Sequence, residues 1–305
     1  MISIVTPSSN SGKYIQQAIR SVLEQEGIKL DYIIVDDGST DETLDIIRSF
    51  GNRLRYISEP DRGQSEAINR GIRMSYGDII GWLNADDYYH PGTLRFINDY
   101  FAKNPEVMLL YGDGTLVKED GTVMKPFPTE EYSLERLAYR CIICQPAAFW
   151  RRSLWEKVGP LDISLHYAMD LDFWIRAGKA LKRHPEWRFV YIPKVFAYSR
   201  MHRHTKTMTQ HREVLHEVVS VMKKHFGYVS FPWVYGIEEV RDPRYDGIIK
   251  KSPVSFSLIA RSLMKWIWQN RMRPDHIIRF IGMVLFSPRK SWQKMKERTG
   301  DEEIG

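Results

Sequence analysis

Cysteine is nearly absent: two occur in 305 residues. A disulfide framework therefore cannot hold the fold, and a reducing compartment is expected. Cys141-Ile142-Ile143-Cys144 has C-x-x-C spacing, but without a second pair a structural zinc site lacks ligands, and its apolar middle reads as core. No apolar run reaches the ~18 residues that would span a bilayer; the greasiest stretch, 277–286, is interrupted by Arg279. The first residues, Met1-Ile2-Ser3-Ile4-Val5, offer no basic region and no cleavage site, so no signal peptide is expected. Phosphate-cradling glycine loops are missing as well. Thr6-Pro7-Ser8-Ser9-Asn10-Ser11-Gly12 is neither G-x-G-x-x-G nor a Walker loop, which disfavours a dinucleotide-dependent dehydrogenase and a P-loop NTPase. Asp36-Asp37-Gly38-Ser39-Thr40 lacks the D-x-D spacing of an aspartyl-phosphate phosphatase. There is no internal repeat and no low-complexity linker.

What is present is globular. Hydrophobic residues make up 43% and charged residues 27%, which excludes wholesale disorder. The length suits one large domain or two modest ones. The net charge of +6 is unevenly placed: residues 250–305 hold 12 Lys and Arg against 5 Asp and Glu, while the rest hold 32 against 33. The basic excess thus belongs to the C-terminal region. There Phe256, Ile259, Leu263 and Ile267 share a helical face with Arg261 and Lys265 interspersed and Trp266 and Trp268 nearby. Such a segment suits an anionic membrane surface or a helix packed on the rest of the chain with a solvated basic face; both readings stand. No recognition motif accompanies the charge, so nucleic acid is not an expected partner.

The first third alternates strand and helix. Strands are expected at 2–6, 31–36, 53–58 and 79–83, with helices at 11–23, from a Ser39/Glu42 capping box to about 51, at 64–74 and from Pro91 to about 103. This alternation predicts an α/β fold: a Rossmann-like parallel sheet with helices on both faces. From about 107 the pattern changes to short strands (108–111, 122–124), Gly/Pro turns and a helix near 133–139. A second strand–helix set follows at 147–158 and 170–181, then a strand at 189–198. Beyond 209 the reading is mostly helical.

Ligands of open α/β sheets bind beyond the carboxyl ends of the strands, and acidic clusters stand at two such ends. One is Asp36-Asp37 after the second strand; the other is Asn84-Ala85-Asp86-Asp87 after the fourth. A third group, Asp170-Leu171-Asp172, opens a later helix. Adjacent carboxylates repel unless cations or donors compensate them. Asp86-Asp87 therefore suggests a hard cation shared with phosphate oxygens, or a helix-capping Asp ahead of Pro91. Loop histidines His202, His204 and His211 read as partners of phosphate or water, and Trp82, Trp150, Trp155 and Trp174 mostly as core.

The ordered set of motifs resembles glycosyltransferase family 2. It comprises Ile4-Val5-Thr6-Pro7, Val35-Asp36-Asp37-Gly38-Ser39-Thr40-Asp41, Gly63-Gln64-Ser65 with Asn69-Arg70-Gly71, Asn84-Ala85-Asp86-Asp87, Gln145-Pro146-Ala147-Ala148-Phe149, Met169-Asp170-Leu171-Asp172-Phe173-Trp174 and Tyr198-Ser199-Arg200-Met201-His202. The resemblance covers about residues 1–210. It implies the GT-A fold, a nucleotide-sugar donor, Mn²⁺ or Mg²⁺ and inversion at the anomeric carbon. It divides the chain into a catalytic domain at 1–210 (nucleotide-sugar half 1–105, acceptor half 106–210) and a helical basic extension at 211–305. By position it implies Thr6, Pro7 and Asp37 around base and ribose, Asp86 and Asp87 at the metal and ribose-diphosphate, Asp170 as catalytic base, and Arg200 and His202 on a loop over the diphosphate. Gln145 and Asp172 would lie near the donor or acceptor sugar, and Asp172 competes with Asp170 for the base role or else caps or supports its helix. If Asp37 reads the base, it accepts from an imide N–H, which favours UDP-, then dTDP-, then GDP-sugars.

Two departures stand out: Asn84 where many relatives carry Asp, and Met169 where Glu often precedes the catalytic Asp. The Q-x-x-R-W motif of processive synthases is absent, so transfer of a single sugar to a glycan or lipid-linked oligosaccharide, in cell-envelope synthesis at the cytoplasmic membrane face, is expected. The alternatives are a sugar-nucleotide pyrophosphorylase, whose basic glycine-rich loop is missing, and a degenerate glycan-binding relative.

Overall fold

The computed structural model describes residues 1–203, 205–241 and 256–270. The segment 277–286 and most of the basic C-terminal region lie outside these residues. The first half runs β1 (Ile2–Ser8), α1 (Gly12–Leu23), β2 (Leu30–Asp36), α2 (Thr43–Ser49), β3 (Arg55–Ser58), α3 (Gln64–Met74), β4 (Ile79–Trp82), β5 (Tyr88–Tyr89) and α4 (Thr93–Lys103). The second runs β6 (Val107–Lys118), β7 (Val123–Pro126), α5 (Leu134–Leu137), β8 (Ala148–Arg151), α6 (Arg152–Val158), α7 (Met169–Leu181), β9 (Arg188–Met201), α8 (Lys206–Thr209), α9 (His211–Phe226), α10 (Phe231–Arg241) and α11 (Phe256–Asn270). No described helix is long and apolar enough to cross a membrane.

The strands form one sheet in the order β3-β2-β1-β4-β8-β6-β9-β5, with β7 hairpinned onto β6. The four strands β3, β2, β1 and β4 are mutually parallel, as the alternation predicts. The far half is mixed. β8 runs antiparallel to both β4 and β6, and β5 antiparallel to β9. The reason is the connection: only β7 and the four-residue α5 lie between β6 and β8, so there is no crossover helix to return the chain parallel.

Successive residues of a strand face opposite sides, and the core divides accordingly. Ile4, Ile79 and Phe149 point toward α1, α2 and α4. Val5, Ile80 and Trp150 point toward α3, α6, α7 and α9. The second core continues past residue 210: Val218, Met222, Val234 and Trp266 share it with Trp150 and Trp174. The helices of the extension therefore have no separate core among the described residues. On α11 the buried face is Leu258, Ser262 and Trp266, while Ile259, Met264 and Trp268 are exposed, so the packed stripe is offset from the one the sequence suggested. The indole of Trp266 donates to the carbonyl of Val229.

Two local expectations fail for physical reasons. Ser39 and Glu42 do not form a capping box. Ser39 bonds Asp36 instead, and the amide of Thr43 donates to Asp41. β6 continues through Gly112 and Gly114, which read as turn residues. A Cβ at Gly112 would press on Phe196, and one at Gly114 on the Cys144 sulfur, so both glycines serve close packing within the strand.

Gly71 serves the same end on α3, where an added methyl would overlap Val5 and crowd Val35. Gly71→Ala should lower stability by a net ~1–2 kcal/mol, because the overpacking exceeds the gain in helix propensity. The expected observation is a Tm several degrees lower with unchanged far-UV circular dichroism.

Candidate active site

The carboxyl ends of β1, β2 and β4 gather two of the three acidic motifs, Asp36-Asp37 and Asp86-Asp87. β1 and β2 stay in register to Ser8 and Asp36, and the amide of Asp37 donates to the Ser8 carbonyl at 2.9 Å. Asp36 is fully buried. Its oxygens accept from the Ser39 amide and hydroxyl and from the Ser58 hydroxyl. Asp36 therefore pins the turn and leaves the half-buried Asp37 beside it, where Asp37 accepts the Asp61 amide at 2.8 Å. Asn10, held at φ 44°, ties the β1 loop to this turn by accepting the Thr40 amide and donating its own amide to Ser39. Thr6 is corrected here. Its side chain is buried and its hydroxyl meets that of Tyr32, so that hydroxyl does not face outward. Pro7 is buried within β1 as well.

A second knot forms beyond β4. The Oδ1 atom of Asn84 accepts from the Trp82 indole and from Gln64. Its amide nitrogen donates to Asp87 and to Gln145, each at 3.1 Å. Every hydrogen-bonding valence of that amide is used, and a carboxylate in its place would have nothing to donate. Gln145 also donates to the Trp82 carbonyl at 2.6 Å, so it braces this loop.

Asp87 is 3% exposed. It accepts the Arg200 amide at 2.9 Å, and burial, then the neighbouring Asp86 charge, push its carboxyl well above the usual range. Both Asp87 oxygens accept hydrogen bonds inside the protein, one from Asn84 and one from the Arg200 amide. Arg200 is corrected too. It is 4% exposed, and its three guanidinium nitrogens donate to the Asp86 carbonyl, the Glu119 carbonyl and the Gln17 side chain. Its flat cation lies between the rings of Tyr14 and Tyr88, so it braces the loop rather than reaching outward. The accessible member is Asp86, whose side chain is 28% exposed; its carboxylate lies 3.0 Å from the Nε2 of His202, whose own side chain is 8% exposed. The chemistry of this pair fits a divalent cation: one hard oxygen donor and one imidazole nitrogen. No described cluster supplies three or more such ligands, so an ion there would complete its shell with ligand oxygens and water.

Asp170 lies in the first turn of α7 and accepts the Leu171 amide at 2.7 Å. Burial raises its carboxyl to about 6. α3 fixes the segment leading to it: Ser65 donates to the Leu165 carbonyl, and Asn69 bonds both the amide and carbonyl of Leu161. Asp172 is corrected, because no oxygen of it remains for a sugar. It is fully buried and held by Arg176, Lys224 and His225. Although burial opposes ionisation, the bonds from His225 and Arg176 hold its carboxyl well below the usual range.

The structural roles of Asn84, Gln17 and Tyr14 were not foreseen. Asn84 showed only as a departure from the motif, and the two α1 residues carry no motif at all. The thiols of Cys141 and Cys144 are raised by burial, which fits their reading as core. A separate cavity of about 530 Å³, lined by Tyr132, His184, Trp187 and Tyr191, lies at the other end of β9 and contains none of these residues.

The family model for glycosyl transferase family 2 matches residues 3–158. An uncharacterized glycosyltransferase of Rickettsia prowazekii is 29% identical over 189 residues, which is 58% of this chain and 58% of that protein's length. Among solved structures, residues 1–349 of Staphylococcus aureus TarS in complex with UDP-GlcNAc align with a TM-score of 0.59 at 17% identity, covering 90% of this chain and 82% of that one. The mannosyltransferase PcManGT from Pyrobaculum calidifontis, in complex with GDP-Man and Mn²⁺, aligns at 0.52 and 18% identity, covering 97% and 84%. These likenesses show a GT-A fold.

The raised carboxyl of Asp170 makes a prediction about stability. A group whose pKa is raised on folding stabilises below its unfolded value and loses that contribution as pH rises through the folded one. Asp170→Asn should therefore be more stable than the parent at pH 7.5, by ~1–2 kcal/mol. The difference should shrink between pH 6 and pH 4. Thermal melts across that range measure it.

Proposed function

We propose that this chain, which belongs to glycosyl transferase family 2, moves one sugar from a nucleoside diphosphate sugar to a hydroxyl of a glycan or lipid-linked oligosaccharide, with inversion at the anomeric carbon. The observation that carries the reading is the half-buried Asp170 carboxyl, raised to about 6, in a GT-A fold. A group with that value is ionised at neutral pH yet basic enough to accept a proton. As the acceptor oxygen attacks C1, Asp170 takes the hydroxyl proton and the bond from C1 to the diphosphate breaks. A single displacement inverts the centre, by the logic of single-displacement glycosidases.

Asp37, beside the loop that carries Asp61, is suited to accept the imide N–H of uracil, thymine or guanine. UDP-sugars lead that order, ahead of dTDP- and GDP-sugars. The complexes of TarS with UDP-GlcNAc and of PcManGT with GDP-Man and Mn²⁺ support donors of this class. Asp86 and His202 are the residues that would hold Mn²⁺ or Mg²⁺, and such an ion, when bound, neutralises charge on a diphosphate. Arg200 acts from beneath by seating Asp86, and Gln145 and Asn84 hold the loop that bears it.

The acceptor side of the reading rests on charge. The excess of Lys and Arg in residues 250–305 and the exposed Met264 and Trp268 on α11 suit an anionic membrane surface. On this reading the enzyme works at the inner face of the cell membrane, in the synthesis of envelope glycans.

Melting curves with UDP, dTDP, GDP, ADP and CDP, each with Mn²⁺ or EDTA, test the donor site. One imide-bearing nucleotide at 100 times its Kd should add ~2.7 kcal/mol. That gain should be lost with EDTA and in Asp86→Ala. With the matching donor, Asp170→Asn should lower kcat by roughly 10²–10⁴-fold, and the parent's kcat/KM should fall below about pH 6. No shift with any nucleotide, or full turnover in Asp170→Asn, would sink the reading. For the membrane arm, the full chain should co-sediment with anionic vesicles and not with neutral ones, and Trp268→Ser should weaken that binding.

A further inference from the structure

The turn that delivers Asp170, itself beyond the family match at 3–158, is held by a residue on α9. α7 begins at Met169 with Ala168 at its cap position, and Ala168 has no side-chain atom to satisfy the exposed amides that every helix start presents. Glu217, on α9, takes instead the amides of the three residues that lead into the helix, from 49 residues beyond Ala168. Its Oε1 accepts the His166 amide at 2.8 Å, and its Oε2 accepts the Tyr167 and Ala168 amides, both at 2.6 Å. Three consecutive amides on one carboxylate fix the backbone up to the second residue before Asp170. Two turns further along α9, Lys224 and its neighbour His225 bond Asp172. One helix thus grips α7 on both sides of Asp170.

We infer that Glu217 is a positioning residue for Asp170, acting both through the main chain of residues 166–168 and through the charge of its carboxylate. The inference rests on Asp170 being the base.

A second contribution is electrostatic. The Glu217 carboxylate stands close enough to Asp170 to oppose its ionisation, adding to the larger effect of burial. The other titratable groups around Asp170 are the thiols of Cys141 and Cys144, which burial raises. Across from Glu217 stands Lys206, whose ammonium donates to the His166 carbonyl at 3.2 Å and interacts with the Glu217 charge. Removing the Glu217 charge should therefore lower the pH at which Asp170 ionises. Loosening the three amides should misplace its carboxylate.

The test needs no substrate for its first arm. The slope of the stability gained on Asp170→Asn, followed against pH, falls to half its value at the midpoint of the Asp170 titration in the folded protein. That midpoint is measured in the parent and again in the Glu217→Gln background. It should move down by roughly half a pH unit in Glu217→Gln, the size expected of a lost neighbouring charge. A purely structural cap would lower Tm and leave the midpoint in place, and that result would overturn the inference. In the second arm, Glu217→Gln should lower kcat about tenfold or more, with KM for the donor changed less than about threefold. Should Glu217→Gln fail to fold, Glu217→Asp decides: it keeps the charge and shortens the reach, so the midpoint should stay while kcat falls. Unchanged kcat in Glu217→Asp overturns the inference. Failure of the base reading is separate, since full activity in Asp170→Asn rejects it whatever the midpoint does.

Discussion

The buried carboxylate of Asp87 is the constraint on which the site depends. A carboxylate taken out of water is tolerated only with donors around it. Asp87 obtains them from two directions: the Asn84 amide, beyond the end of β4, and the main-chain amide of Arg200, near the end of β9. These strands are not neighbours, since β8 and β6 stand between them in the sheet. The bond therefore ties the loop beyond β4 to the far half of the sheet. Arg200 then donates back to the Asp86 carbonyl, and His202, two residues on, meets the Asp86 side chain. One inward-facing carboxylate thereby sets the position of the outward-facing one beside it.

The same division recurs at all three acidic motifs. Asp36 is sealed by Ser39 and Ser58, and Asp37 is left open. Asp87 is sealed, and Asp86 is left open. Asp172 is sealed by Arg176, Lys224 and His225, and Asp170 is left half-buried. In each case the sealed member holds the backbone that aims its neighbour. Close carboxylates of like charge would ordinarily repel. Surrounding one of each set with donors, and in the last case with cations, lets both exist a residue or two apart.

This division also explains what the sequence disclosed and what it withheld. Hydrophobic periodicity and strand-end acids located β1 to β4, α3, α7 and the three acidic motifs, because those signals are local. Which member of a pair faces outward depends on partners far along the chain. For Asp87 the partner is 113 residues away, and for Asp172 it is 53. No local pattern reports such a distance. The same holds for Arg200, a positive residue on a motif that reads as a ligand contact until its donors are found engaged by Gln17 and Glu119. The direction of β8 has a related cause: its antiparallel run follows from a missing crossover helix, not from any residue within β8. The glycines of β6 misled because closeness to Phe196 and Cys144, not a turn, demands them.

The helices after residue 210 belong to the same argument. Basic and mostly helical, they looked separable by composition, yet Val218, Met222 and Trp266 fill the core that Trp150 and Trp174 begin. A helix that shares a close-packed core cannot drift without opening voids, so α9 is a fixed frame. It sits against the turn before Asp170 and against Asp172 in the turn's continuation. Burial alone raises a carboxyl but does not aim it. Aim needs backbone held at both ends, and here the hold on the Asp170 turn comes from a helix outside the family match. Where α11 turns Trp268 and Met264 outward, the same packed frame joins that turn to the surface read as meeting an anionic membrane. On the proposed reading, the turn before Asp170 and that surface rest on one packed core among the described residues.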